Sequence, residues 1–161
     1  MTKTASGNRR YLALFFPWLP AERLVRAAPQ PPDAPLVFTE KARGALRIAS
    51  IDTQAQAAGL RVGMPLADAR AQVPELIAVQ HDPILDHAWL DRLALGCNRY
   101  TPLVALDAPD GLILDIAGAE HLFADEAGLA ADAEMRLSRL SMTVRHAFGP
   151  TADAARALAR Y

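Results

Sequence analysis

The second half of the chain alternates two helical patterns with short apolar runs, and this order constrains the fold more than any other feature. Amphipathic helices are predicted from Pro83 to Arg99 and from Glu126 to Leu140. Between them, two apolar runs flank the turn Pro109-Asp110-Gly111, which is typical of a β-hairpin. Further strands are predicted at Thr143 to Phe148 and, near the start, at Tyr11 to Phe16. Strand, helix, strand, strand, helix, strand is the order of the split βαβ, ferredoxin-like unit.

Residues 19–82 interrupt this order and form a predicted insertion after the first strand. It contains a helix from Ala21 to Ala28, a proline-rich connector and two short strands at Leu36 to Thr39 and Leu46 to Ser50. Asp52 and Pro65 open two short helices. The predicted division is therefore a first strand at 8–18, an insertion at 19–82 and the remainder of the domain at 83–161.

Two further patterns refine the second half. The long helix is expected to bury one face, spaced by four residues: Leu85, Trp89, Leu93 and Cys97. The end of the chain, TADAARALARY, predicts another helix, and we expect more protein to follow it.

Composition limits the classes of function. Hydrophobic residues make up 52% of the chain, too much for a disordered protein, and the net charge of −1 predicts only weak binding to DNA. No apolar run is long enough to span a bilayer and the start lacks a signal-peptide pattern, so we expect a cytoplasmic protein without a membrane partner.

Cys97 stands alone, which argues against a disulfide framework or a cysteine-based zinc site. The histidines show no metal-ligand spacing: His81, His87, His121 and His146.

Three segments, in this order, resemble the Y-family of translesion DNA polymerases. Residues 48–76, IASIDTQAQAAGLRVGMPLADARAQVPEL, resemble the fingers signature, and residues 105–118, ALDAPDGLILDIAG, resemble the palm hairpin. Residues 143–159, TVRHAFGPTADAARALA, resemble the later palm. The start Phe-Phe-Pro-Trp and the segment Ala-Glu-His-Leu-Phe are most similar to the ImuB branch, polymerase-like accessory proteins of bacterial mutagenic repair. The resemblance implies an α+β fold, a ferredoxin-like palm with a small fingers insertion after the first strand.

The residues that match the family's metal ligands are not the acids that the chemistry needs. Two-metal nucleotidyl transfer requires clustered carboxylates, one on the first strand and a pair on the hairpin. By the resemblance, Phe15 stands at the first-strand acid, and no Asp or Glu occurs from Met1 to Ala21. Asp110 and Gly111 stand at the hairpin pair, and a Pro-Asp-Gly turn by itself explains an Asp there. We therefore expect no bound metal or other cofactor, and we expect Phe15 to be a core residue.

The clamp for the triphosphate is also expected to be absent. Active members of the family use a Tyr and an Arg on the fingers helix, where this chain has Thr53 and Gln56. They also use a Lys after the last palm strand, and here no Lys follows Lys41. Arg156 brings positive charge near that position without matching it.

Taken together, the resemblance implies a non-catalytic accessory module of bacterial DNA damage tolerance. Its implied partners are an error-prone C-family polymerase, the sliding clamp and an ImuA-type protein, bound mostly through regions outside this chain. For Arg43, Arg47 and Arg61, contact with DNA phosphate and simple solvation are equally good interpretations. The alternatives are an active Y-family polymerase with an atypical metal site and a ferredoxin-like domain that binds RNA or a small ligand.

Overall fold

A computed structural model describes residues 9–30 and 32–161, without the side chains of residues 120 and 121. The predictions for residue 8 and for the side chain of His121 lie outside the described residues. The chain forms two compact units: a larger unit, made of the residues up to Pro17 together with His87–Tyr161, and an insert unit, Trp18–Asp86.

Among the described residues, the larger unit contains four strands and three α-helices. In chain order these are β1 (Tyr11–Phe15), α4 (Pro83–Cys97, which begins in the insert unit), β5 (Val104–Asp107), β6 (Gly111–Asp115), α5 (Glu126–Arg139), β7 (Arg145–Gly149) and α6 (Ala152–Arg160). The sheet order is β5-β6-β1-β7, and every neighbouring pair is antiparallel. This is the ferredoxin-like arrangement that the sequence predicted.

The two faces of this sheet are covered by different helices, because successive side chains of a strand point to opposite faces. Tyr11, Ala13 and Phe15 pack with Ala155 and Ala159 of α6. On the opposite face, the alternate residues of β1 and the inner residues of α4 and α5 are buried: Leu12, Leu14, Phe16, Leu90, Leu93, Leu129 and Leu137.

The insert unit has one helix at its start and a three-stranded sheet. Its elements are α1 (Leu19–Ala27), β2 (Leu36–Ala42), β3 (Ala45–Ile51), α2 (Thr53–Ala57), α3 (Leu66–Gln72) and β4 (Ile77–Gln80). The sheet order is β3-β2-β4, with β4 parallel to β2. Asp52 caps α2 as predicted, since its side chain accepts a hydrogen bond from the Ala55 amide at 2.7 Å. The sequence analysis did not predict β4.

The predicted inner face of the long helix is wrong at one end. Leu85 is 51% exposed, and the residue beside it, Asp86, is only 3% exposed. The Asp86 carboxylate accepts from Arg23 at 2.7 Å and lies 2.9 Å from His81 Nε2. The spacing of apolar residues alone predicts that Leu85 is buried. In the structure, Asp86 is buried instead, because it forms an ion-pair network within the insert unit.

Among the described residues, no helix combines the length and the apolar character needed to cross a lipid bilayer.

Candidate functional site

The residues matched to the family's acids come together at one end of the larger sheet. In the β1–β6 register, Phe15 lies directly opposite Gly111, and the Phe16 amide donates to the Asp110 carbonyl at 2.9 Å. On its other side Phe15 pairs with Arg145 of β7. The position expected for the first carboxylate is thus next to the hairpin turn but carries a half-buried aromatic ring rather than an acid.

Helix α6 approaches this end of the sheet closely. Its first turn is capped by Thr151, whose hydroxyl accepts from the Ala154 amide at 3.1 Å. The strand before it ends at Gly149, where an added Cβ would lie 2.6 Å from the Ala155 nitrogen, so only glycine lets the helix pack this closely.

Arg160, in the last turn of α6, is the central residue of the site. Its Nη2 lies 3.0 Å from Asp107 Oδ2 and 2.9 Å from Asp110 Oδ1, and its guanidinium stands 4.5 Å from the centre of the Phe15 ring. Burial by itself lowers the pKa of Arg160, but hydrogen bonds to Asp110 and Asp107 outweigh this effect and raise the pKa. A permanent cation of the protein therefore bridges both carboxylates of the hairpin and offsets part of their negative charge.

Arg156, one turn earlier on the same face of α6, adds a weaker contact of 3.3 Å to Asp107. Asp107 ends strand β5, and its side chain is only 15% exposed and has two arginine partners. The i, i+4 spacing of Arg156 and Arg160 places both arginines on one face of a helix, but it does not identify Asp107 as their partner.

The residues present do not fit a divalent metal of the kind that the fold family implies. No group of three His, Cys, Asp or Glu side chains in the described part of the chain is placed to share an ion. Asp107 and Asp110 are already bridged by a guanidinium, which would repel Mg²⁺. A Cβ atom added at Gly111 would lie 3.1 Å from Asp107 Oδ2 and 3.2 Å from the Leu14 carbonyl oxygen. This position therefore has little room for a side chain that carries a carboxylate.

The positions matched to the triphosphate clamp lie in the insert unit. Thr53 and Gln56 are both exposed on the short helix α2. Neither carries charge, so neither attracts a triphosphate as an arginine does.

The arginines singled out for DNA contact have different surroundings. Arg43 lies exposed in the two-residue turn between β2 and β3, with φ of 52°, and Arg61 is exposed after α2. Arg47 is less exposed, and its Nη1 donates to the Gly63 carbonyl at 3.0 Å. Arg47 thus has a local structural role, whereas Arg43 and Arg61 point their charges at solvent.

The Gly63–Pro65 segment is held against β3 by further hydrogen bonds. The Gly63 amide donates to the Ile48 carbonyl at 2.7 Å, and the Ile48 amide donates to the Met64 carbonyl at 2.9 Å. Arg47 and Pro65 form an isolated antiparallel bridge. Gly63 has φ of +88°, in the left-handed region where glycine is unstrained, so this turn depends on it.

Sequence comparison finds one family profile and two curated proteins that are similar to this chain. The sequence profile of the impB/mucB/samB family matches residues 21–160. Protein ImuB of Caulobacter vibrioides, in strains NA1000 / CB15N and ATCC 19089 / CIP 103742 / CB 15, is 47% identical over 103 residues. That match covers 64% of this chain and 22% of the relative, so the matched part spans about a fifth of the length of these curated proteins.

Solved structures show the same fold at lower identity. The insertion ternary complex of Dbh DNA polymerase superposes with a TM-score of 0.82 at 20% identity, and a Y-family DNA polymerase chimera of Dbh and Dpo4 with 0.81 at 20%. DinB from Sulfolobus solfataricus gives 0.77 at 22%. Each covers 94% of this chain, which in turn covers 45% of each structure. The chain therefore belongs to the impB/mucB/samB family, and it has the α+β, palm-and-fingers fold of Y-family DNA polymerases.

Proposed function

We propose that this chain is a non-catalytic, polymerase-like module of bacterial DNA damage tolerance. Its palm keeps the fold of a Y-family polymerase, and its relatives include Protein ImuB. The observation that carries the proposal is Arg160, which bridges Asp107 and Asp110 beside the Phe15–Gly111 pair. An arginine at this place pairs with the carboxylates whose negative charge would be needed to bind catalytic metal ions.

The direct test is primer extension by the full-length protein with Mg²⁺ and with Mn²⁺, beside an active Y-family polymerase as positive control. We expect no template-directed incorporation, because Phe15 and Gly111 supply no metal ligand. Incorporation that disappears in an Asp110→Ala variant would show instead an active polymerase with an atypical metal site.

Binding of nucleotide is a separate test of the insert unit. Because Thr53 and Gln56 offer no charge, we expect a deoxynucleoside triphosphate with Mg²⁺ to bind with a Kd no better than about 1 mM, about −4 kcal/mol. Isothermal titration calorimetry on the 161-residue chain measures this value. Low-micromolar binding would contradict the assignment of these two positions.

For DNA, we propose weak, sequence-independent contact through Arg43 and Arg61. Their exposure supports this role, and the hydrogen bond from Arg47 to Gly63 removes Arg47 from the proposal. Each phosphate contact contributes about 1 to the slope of log K against log salt. Fluorescence anisotropy on duplex DNA should therefore show a shallower slope for Arg43→Ala and for Arg61→Ala, while Arg47→Ala should lower stability instead.

In the cell, the module is proposed to act with a separate error-prone C-family polymerase, the sliding clamp and an ImuA-type protein. This part of the proposal rests on the similarity to Protein ImuB alone, and no residue of this chain is assigned to those contacts. Co-purification of the full-length protein with each candidate partner tests it.

A further inference from the structure

A groove runs between α4 and α5, on the side of the larger unit away from α6. The two helices are antiparallel, since Trp89 Nε1 lies 3.3 Å from Met142 Sδ at one end and the Tyr100 hydroxyl donates to Asp132 at 2.6 Å at the other. The groove encloses about 280 Å³. Its floor consists of side chains that are at most 5% exposed: Leu93, Cys97, Ala133 and Leu137.

The floor is apolar throughout. Burial raises the pKa of the Cys97 thiol to about 11, so this side chain is neutral at physiological pH. Tyr100, the one aromatic residue among the described lining residues, is 4% exposed and its hydroxyl is used by Asp132.

The rim, in contrast, is strongly basic. Four arginines line the groove, two from the α4 side and two from α5: Arg92, Arg99, Arg136 and Arg139. Arg136 is paired with Asp132 at 2.8 Å. No carboxylate among the described residues lies within ion-pair distance of the other three. In a chain of net charge −1, the rim is therefore a local concentration of arginine side chains.

We propose that the α4–α5 groove binds an acidic, amphipathic segment of a partner protein, with an apolar side chain on the floor and carboxylates on the rim arginines. Bidentate pairing with carboxylates and anchoring of an apolar group in a buried pocket are the contacts that dominate protein interfaces. A nucleic-acid strand fits less well, because single-stranded DNA and RNA rely on exposed aromatic stacking surfaces, and Tyr100 is buried. This proposal does not depend on whether the palm is catalytic.

Gly96 gives the groove a specific test. It lies on α4 among the lining residues, and a Cβ built on it meets nothing within 4 Å. A larger side chain there projects into the open groove without striking the protein. Since glycine inside a helix is less favourable than other residues with a side chain, proline excepted, substitution should not harm folding.

The experiment measures fluorescence anisotropy of a fluorescein-labelled helical peptide of Glu and Leu with Leu at i, i+4 spacing. Its controls are the same peptide with every Leu replaced by Ser, and labelled oligo-dT. We expect the Glu/Leu peptide to bind the 161-residue chain with a Kd of about 10 µM and the Ser peptide about tenfold more weakly. Gly96→Leu should abolish binding, while Gly96→Ala should leave it unchanged.

The charge requirement has its own matched control. Arg92→Glu and Arg139→Glu should each weaken binding of the Glu/Leu peptide about tenfold. Arg70→Glu, an equal change of charge at an exposed position of α3, should have no effect. The proposal is overturned if the peptide does not bind, if Gly96→Leu binds like Gly96→Ala, or if Arg70→Glu weakens binding as much as Arg92→Glu. Binding of oligo-dT that is lost in Gly96→Leu would assign the groove to nucleic acid instead.

Discussion

Replacing Arg160 by Met removes the guanidinium from the palm site while keeping an apolar chain over Phe15. The lost contacts are those of 3.0 Å to Asp107 and 2.9 Å to Asp110, with the Arg160 side chain 28% exposed. Hydrogen bonds to charged groups contribute about 1.5–3 kcal/mol to the free energy of unfolding, and exposed ion pairs contribute about 0.2–1 kcal/mol. Because Arg160 is partly buried, we assign roughly 1 kcal/mol to each of its two contacts. With about 0.5 kcal/mol for the cation–π contact, Arg160→Met should lower the free energy of unfolding by about 2–3 kcal/mol.

The same variant should change the response to divalent cations. In the wild-type chain Mg²⁺ should not stabilise the fold, because the Arg160 guanidinium already bridges the two carboxylates and would repel a further cation. In Arg160→Met, Asp107 and Asp110 become available, and a Kd of about 5 mM would return about 0.6 kcal/mol of stability at about 10 mM Mg²⁺. Urea denaturation followed by circular dichroism, with and without Mg²⁺, measures both effects.

Arg156→Met is the matched control for this experiment. Arg156 is 52% exposed and reaches only Asp107, at 3.3 Å, so its loss should cost at most about 0.5 kcal/mol. Equal destabilisation by the two variants, or Mg²⁺ stabilisation of the wild-type chain, would refute the assignment of Arg160 as the cation of the site.

Three further perturbations test other parts of the structure. Asp86→Ala should lower the free energy of unfolding of the insert unit by about 3–5 kcal/mol in urea denaturation. The reason is that Arg23 loses its partner at a site where the Asp86 side chain is only 5% exposed. Asp86→Asn should lower the free energy of unfolding by less. Gly111→Glu should lower stability by about 1–3 kcal/mol through crowding at the Cβ and should not create a Mg²⁺ site, so stabilisation of that variant by Mg²⁺ would contradict the geometry. A hydrogen bond from Arg10 lowers the pKa of Glu126. The pair therefore stabilises the fold at pH values above the ordinary pKa of a glutamate, and this contribution is lost as the pH falls through the lowered pKa. Arg10→Gln should make thermal stability less sensitive to pH across that acidic range.

Much of the larger unit could be predicted from the sequence because its elements are periodic. The strand and helix order of the palm follows from alternating apolar runs and amphipathic spacing, and those patterns depend only on local side chains. Leu85 and Asp86 show where this reasoning fails, since the buried residue is a carboxylate whose partners, Arg23 and His81, are distant in sequence. Strand β4 was missed for a related reason: it has four residues, and its pairing with β2 is parallel and long-range.

The site was only partly predictable. Phe15 pairs with Gly111 in the β1–β6 register, so two of the positions that the resemblance matches to acids are neighbours. The role of Arg160 depends on how α6 crosses the sheet, which no local pattern specifies. Phe15, expected in the core, is half-buried. The guanidinium groups of Arg160 and Arg145 lie 4.5 Å and 6.0 Å from the centre of its ring. An acid at that position would therefore have arginine neighbours rather than stand alone in an apolar site.

The Gly63–Pro65 segment has a consequence for association between chains. Strand β3 is at the edge of the insert sheet, and such an edge exposes amide and carbonyl groups to which a strand of another molecule can add. Here the Ile48 amide and carbonyl are already occupied by Met64 and Gly63, and Pro65 offers no amide hydrogen to a further strand. The glycine-methionine-proline signature thus closes the middle of this edge and works against strand-mediated aggregation, a reason for its presence that is independent of DNA or nucleotide.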